Sequence, residues 1–244
     1  MATLLLRLAG PLQAWGTDSK VDIRRTDGHP SKSGVIGMIA AAMGRSRDDP
    51  LDDLKALDFG VRVDQEGTMM KDYHTVHHPD KVKLAYITER YYLEDAVFLV
   101  GLEGDEGLLE SIDGALRHPY FPLFLGRRSC PVTGRLSLGI RKMPLRQALK
   151  EEPWLASDWY MRKSPADVEL EMTTGVGENE DGYLVRDEPE SYSQARRAHG
   201  FRKVATSGTG NRMENTRSRR YERATEHDAM KELEGLRCFF PGSS

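Results

Sequence analysis

The sequence predicts an α+β protein with a ferredoxin-like core of the RNA-recognition-motif type, an inserted arm and extra C-terminal strands. Three observations carry this. From Thr3 to Ile140 the apolar periodicities run strand, helix, strand, arm, strand, helix, strand, which is the split βαβ order. Residues 65–92 interrupt that order with a long polar stretch whose apolar side chains are unevenly spaced, as in an extended arm or hairpin. Residues 151–205 then read as further strands and turns, which extend the first sheet or form a small second one.

The elements follow in order. Thr3 to Leu8 is a short apolar run stopped by Ala9-Gly10-Pro11, a buried strand and a turn. A polar loop over 16–32 carries Arg24, Arg25, Gly28, His29 and Pro30 and ends at Ser33, read as the N-cap of an apolar helix from Gly34 to Met43 that stops at Gly44. Pro50 opens a short helix over Leu51 to Leu57, and Asp52 and Asp53 suit its N-terminus. Phe59 to Val63 alternates as a strand, and Ala96 to Leu102 is the next one. Asp105 to Leu116 places Leu108, Leu109, Ile112 and Leu116 on one helical face. Phe121 to Pro131 is an anchored loop, and Arg135 to Ile140 a strand. The core with its arm thus spans 1–150, the additional strands 151–205, and a basic tail with little apolar period 206–244.

Length and composition set the class. The chain has 244 residues, 30% charged and 39% hydrophobic, with a formal net charge of −3. That describes a folded, water-soluble protein with a real core. Leu4-Leu5-Leu6 is broken at Arg7 and is too short for a signal peptide or a membrane span, so a cytoplasmic location and no membrane partner are expected. Cys130 and Cys238 lie far apart and belong to no CxxC pair, so neither a disulfide framework nor a zinc site is expected.

The small net charge conceals segregation. Residues 94–116 hold seven acidic residues and no Lys or Arg, whereas 117–150 hold eight basic residues and no acid. A second basic tract includes Arg196, Arg197, Arg202, Lys203 and Arg212. Such clusters suit a phosphate-binding surface, and equally a solvated face or a charged subunit contact.

No Walker loop, HExxH, GxSxG or kinase signature is present. His74, His77 and His78 are close in sequence, but Pro79 follows them and no Cys or paired carboxylates complete a metal site, so neither metal nor cofactor is expected. Tyr73, His74 and a lysine such as Lys32 or Lys71 could instead serve a metal-independent ribonuclease if they converge. Gly126-Arg127-Arg128-Ser129 offers a glycine, two guanidiniums and a hydroxyl in one turn, suited to a phosphate or to pairing with the preceding acidic helix. Trp15, beside Gln13 and Gly16, could stack on a base or fill the core.

Four blocks give the sequence a specific resemblance: Leu4 to Gly16, Ser31 to Gly37, Asp72 to Val76, and Tyr120 to Pro131. In this order they resemble the CasD subunits of type I-E CRISPR Cascade, in the repeat-associated RNA-binding superfamily, over residues 1–205. The resemblance implies a non-catalytic antiviral-defence subunit that holds the 5′ handle of the CRISPR RNA and caps one end of the complex. The implied partners are the Cascade backbone subunit and the large subunit, with target DNA nearby. Residues 65–92 take the place of the family's thumb, and Gly126, Arg127, Arg128 and Ser129 that of its glycine-rich loop. The same carry-over implies RNA contacts at Gln13 and Trp15, at Lys32, Ser33 and Gly34, and at His74, Thr75 and Arg90. The alternative is a metal-independent endoribonuclease that cuts CRISPR repeat RNA, as a related subunit of another subtype does.

Overall fold

In the computed structural model the described residues are 1–16, 22–78, 81–210 and 212–219, with 77, 78 and 81–85 described by backbone alone. The first strand, β1 (Ala2–Ala9), is buried at every position but the half-buried Arg7, as its apolar run requires. After it come β2 (Leu12–Gln13), β3 (Ile23–Arg24), α1 (Lys32–Ala42), α2 (Asp52–Lys55), β4 (Asp58–Gln65), β5 (Thr68–His78), β6 (Lys81–Glu94), β7 (Val97–Gly104), α3 (Glu106–Arg117) and β8 (Ser137–Arg141). The chain continues through α4 (Leu145–Glu151), α5 (Asp158–Lys163), β9 (Asp167–Val168), β10 (Glu171–Gly175), β11 (Tyr183–Ser191), β12 (Ala198–Gly208) and β13 (Met213–Glu214).

Two units result. The larger comprises Met1–Leu155 and Leu170–Gly210, and the smaller comprises Ala156–Glu169 and the described residues from 212 onward. The larger unit holds a seven-stranded antiparallel sheet in the order β11-β12-β10-β4-β7-β1-β8. Side-chain alternation divides β1 between two cores. Leu4, Leu6 and Leu8 pack with α1 and α3 residues such as Ile36, Ile39, Leu109 and Ile112, while Leu5 packs with Leu99, Leu145 and Leu149 under α4. Gly101 makes room for α4, since a Cβ there would lie 2.4 Å from a Leu145 methyl.

The N-cap of α1 is Ser31, two residues before the expected Ser33. Its extended backbone frees Oγ to accept from the Gly34 amide at 3.3 Å, which leaves Lys32 and Ser33 inside the first turn. Helix α3 conforms to its sequence signals: Asp105 accepts from the Leu108 amide, and Leu109, Ile112 and Leu116 are buried.

One buried ion pair fastens the far face. Arg62 and Asp64, neighbours on one face of β4, are bonded at 2.8 Å with both side chains fully buried. Arg62 also donates to the carbonyls of Leu149, Glu152 and Pro153, and Asp64 accepts from the Leu155 amide at 2.7 Å. The carbonyls that α4 leaves unpaired at its C-terminus thus find their donor in the sheet beneath.

The arm is a long antiparallel hairpin of β5 and β6, with Met70 opposite Tyr92, Asp72 opposite Arg90 and His74 opposite Thr88. At its root β6 also pairs with β2 and, in parallel, with β3, so that Arg24 lies opposite Arg90.

In the smaller unit β9 pairs with β13, and the Asn215 side chain donates to the carbonyls of Met161 and Pro165 at 2.7 and 2.9 Å. The expectation for the tail over 220–244 lies outside the described residues, as do the side chains of His77 and His78.

Candidate nucleic-acid interface

The site is organised around the turn after Phe124. Gly126 has φ +82°, and a Cβ there would come 1.7 Å from the carbonyl oxygen of Ala14. Only glycine fits, because both the backbone conformation and the close approach exclude a side chain. The Gly126 amide donates to Phe124, that of Leu125 to Cys130 and that of Cys130 to Arg127. The close approach packs the turn against Ala14, just beyond β2, while Gly126 itself stays exposed.

Arg127 is fixed by three carbonyls. It donates to Tyr91 at 3.1 Å, Arg24 at 2.8 Å and Arg25 at 3.3 Å, and its guanidinium carbon sits 4.7 Å from the centre of the Tyr92 ring. It therefore fastens three segments, the turn, β6 and the stretch through β3, at one point. Arg128 and Ser129 are exposed, with the Ser129 hydroxyl 3.5 Å from that of Tyr92.

This junction collects five arginines. Arg24 and Arg25 are exposed beside the carbonyls Arg127 holds, and Arg90 lies across from Arg24 with its Nε buried and unpartnered. Arg24 and Arg25 were legible as a basic pair in a loop, but nothing local announces that this loop pairs with β6. The rest of the basic block goes elsewhere. Arg117 pairs with Asp113, Lys142 with Glu106 and Arg141 with Glu152, so part of this block is paired with carboxylates of the same chain, the first two at the surface.

Several expected contacts are internal fasteners. Trp15 is 1% exposed; its Nε1 donates to Gln13 Oε1 at 2.9 Å, and its ring lies where a Cβ on Gly34 would approach to 2.9 Å. It is a core residue and presents no face to a base. Gln13 is wholly buried and donates to Leu8 and Ala96. The amide of Lys32 donates to Asp187 at 2.8 Å, and its ammonium bonds Glu188 at 2.9 Å and the Lys55 carbonyl at 2.8 Å. Two carboxylates from β11 thus occupy the start of α1, where a phosphate was expected. Tyr192 donates its hydroxyl to the Ser33 carbonyl, closing that end further.

On the hairpin, His74 Nε2 lies 2.6 Å from Asp72, and Thr75 is exposed. Strand alternation sends Asp72 and His74 to the Arg90 side, and Lys71, Tyr73 and Thr75 to the opposite side. There Lys71 pairs with Glu89 at 2.8 Å and lies 4.9 Å from the Tyr73 ring. The Glu89 bond holds the Lys71 ammonium above its usual pKa, and Lys71 holds Glu89 below its own. Tyr73, His74 and Lys71 therefore do not converge, and Lys32 is committed to Glu188.

Comparisons with known proteins agree on one family. The family pattern described as CRISPR-associated protein (Cas_Cas5) matches residues 3–205. The CRISPR system Cascade subunit CasD of Escherichia coli (strain K12) is 35% identical over 193 residues, covering 70% of this chain and 85% of that protein. A crystal structure of a Cas protein superposes with TM-score 0.68 at 40% identity, over 88% of this chain and 97% of the other. A chain of a CRISPR RNA-guided surveillance complex superposes with TM-score 0.71 at 31% identity, over 91% and 96%. With the match running from β1 through β12, the chain belongs to the Cas5 family of CRISPR-associated proteins.

Proposed function

We propose that this chain is a non-catalytic subunit of a CRISPR surveillance complex that holds the 5′ handle of the CRISPR RNA and caps the end of the assembly. The observation that carries the reading is the arginine junction at the root of the hairpin: the Arg127 guanidinium bonded to the main chain of Arg24 and Arg25, Arg90 in register with Arg24, and Arg128 exposed next in the chain. Arginines on a rigid frame suit phosphates, and a single strand needs such a track with few base-specific contacts. The guide reads its target by base pairing, so the subunit needs only to grip and orient the handle. His74 shares the Arg90 side of β5, Thr75 is exposed on the other side, and both are proposed contacts of the handle. The backbone subunit and the large subunit are its proposed partners, with target DNA close by and the hairpin serving as the thumb against the backbone subunit.

We read the core as ferredoxin-like. The order β4-β7-β1-β8, with α1 between β1 and β4 and α3 between β7 and β8, supports that reading.

The test is binding of handle RNA over a salt series. Loss of Arg24, Arg25 and Arg128 together is expected to weaken binding and flatten the salt dependence by about two to three phosphates, at roughly 0.7 in the log–log slope each. Unchanged affinity and slope would overturn the assignment. Incubation of the protein with repeat RNA in EDTA separates the ribonuclease alternative. Intact RNA is expected because the acid/base candidates face opposite sides of β5. Cleavage at one phosphodiester, lost in His74→Ala, would replace the non-catalytic reading.

A further inference from the structure

The far edge of the large sheet presents an apolar face away from the helices of its own unit. Helix α4 lies on β1, β4 and β7, while α1 and α2 meet β11 on its opposite side, where Asp187 and Glu188 bond Lys32. Antiparallel register places Leu184 opposite Lys203, and alternation adds Arg186 on β11 and His199 and Phe201 on β12 to the same face. Leu184 is 69% exposed and Phe201 65%, among the largest exposures of apolar side chains among the described residues.

We infer that this face, Leu184 and Phe201 bracketed by Arg186 and Lys203, docks a neighbouring protein subunit through a segment whose apolar side chains are flanked by carboxylates. The inference rests on the chain working inside a multi-subunit assembly and goes beyond its grip on RNA. An aromatic and a leucine side by side, with arginine at the rim, have the composition of an interface core. The aliphatic Leu184, next to the Phe201 strand, offers a packing surface to another apolar side chain, and His199, a second ring on this face, is half-buried. The rim is cationic. The nearby acids Asp187 and Glu188 turn to the other side and are paired with Arg202 and Lys32. His199 reports that field: burial first, then Arg197 and Arg186, hold its ring below the usual pKa against Asp187 and Glu190. Backbone pairing is a poor alternative, because β11 carries two register shifts and Pro189. The partner therefore meets side chains on the face rather than extending the sheet.

The test places a photo-crosslinking residue at the centre of the patch in the assembled complex, as Phe201→p-benzoylphenylalanine. The expected product joins Phe201 to a segment of another subunit rich in Asp, Glu and apolar residues. A crosslink to RNA or DNA, a crosslink to residues 220–244 of the same chain, or no crosslink at all would each overturn the inference. In parallel, Leu184→Ala with Phe201→Ala is expected to weaken co-assembly with the crosslinked subunit about tenfold or more. Handle-RNA affinity measured on the same protein should stay at the native value, which verifies folding. Native co-assembly by that variant would likewise overturn the inference, whereas loss of RNA binding in the native protein would instead count against the proposed function.

Discussion

Arg127 lies over Tyr92, its guanidinium carbon 4.7 Å from the ring centre, while the same guanidinium donates to the main-chain carbonyls of Tyr91 on that strand and Arg24 on β3. The planar fork allows this combination; an ammonium has no plane to stack and no fixed set of donors. Arg127→Lys, which keeps the charge, is therefore expected to lose most of the RNA affinity that Arg127→Ala loses. Arg128→Ala, on the exposed neighbour, is expected to cost about one phosphate contact in the salt slope and nothing in stability. Titrations with handle RNA at several salt concentrations, beside thermal unfolding, check both.

Gly126→Ala would require a left-handed backbone for alanine and would drive a methyl into the Ala14 carbonyl. A loss of at least about 2–3 kcal/mol in stability is expected, with weaker RNA binding because the turn carries Arg127. Urea unfolding measures it, and a loss below about 0.5 kcal/mol, the level of an ordinary surface substitution, would contradict the packing described.

Arg62→Ala leaves the Asp64 carboxylate buried beside the Leu155 amide, without the guanidinium that pairs it. Burial already pushes the Asp64 carboxyl up against the opposing effect of Arg62. The expected cost is about 3–5 kcal/mol, and Arg62→Met with Asp64→Leu should recover part of it. Chemical denaturation of the three proteins tests the order.

Lys32→Ala separates a structural lysine from a phosphate ligand. It strips the ammonium from Glu188 and the Lys55 carbonyl, so unfolding should shift by about 1–3 kcal/mol while the salt slope of RNA binding stays unchanged. A reduced slope at native stability would return Lys32 to the RNA surface.

Stability should fall on acidification. The Asp53 carboxyl sits below its ordinary value of 3.8 because Arg45 bonds it. Asp113 is also low: burial raises it, but the Ser137 and Arg117 bonds outweigh that. Carboxyls with lowered native pKa stabilise the fold above their ordinary value, and that contribution disappears as pH falls through the native one. The midpoint of denaturation should thus drop below about pH 4, and Asp53→Asn with Asp113→Asn should flatten the decline. An unaltered pH profile in that variant would exclude these two groups as its source.

Much of the strand and helix order could be read locally, because β1 is an unbroken apolar run and α3 shows its cap and its apolar period in twelve residues. The cap of α1 lies two residues before the expected Ser33, since Ser31 and Ser33 carry equal capping chemistry and only the backbone at Ser31 decides between them. The candidate site was less legible. Arg127 and Arg128 stood out as a pair, but Arg24 and Arg25 join them through a two-residue parallel pairing with β6 that has no sequence signal of its own. Trp15, Gln13 and Lys32 have side chains that suit RNA equally well, and burial excluded them from its surface.

By itself the sequence determined the α+β class, the projecting arm between two inner strands, and a glycine-arginine turn after the acidic helix. Periodicity and turn chemistry act over a few residues, and a chain carries them wherever it folds. Tertiary structure decided which charges remain available. Lys32 meets Glu188 across 156 residues of chain, Lys142 meets Glu106, and Arg127 is held at the junction by carbonyls and an aromatic ring in place of carboxylates. Burial and pairing depend on which distant segments touch, and that is settled only when the sheet assembles.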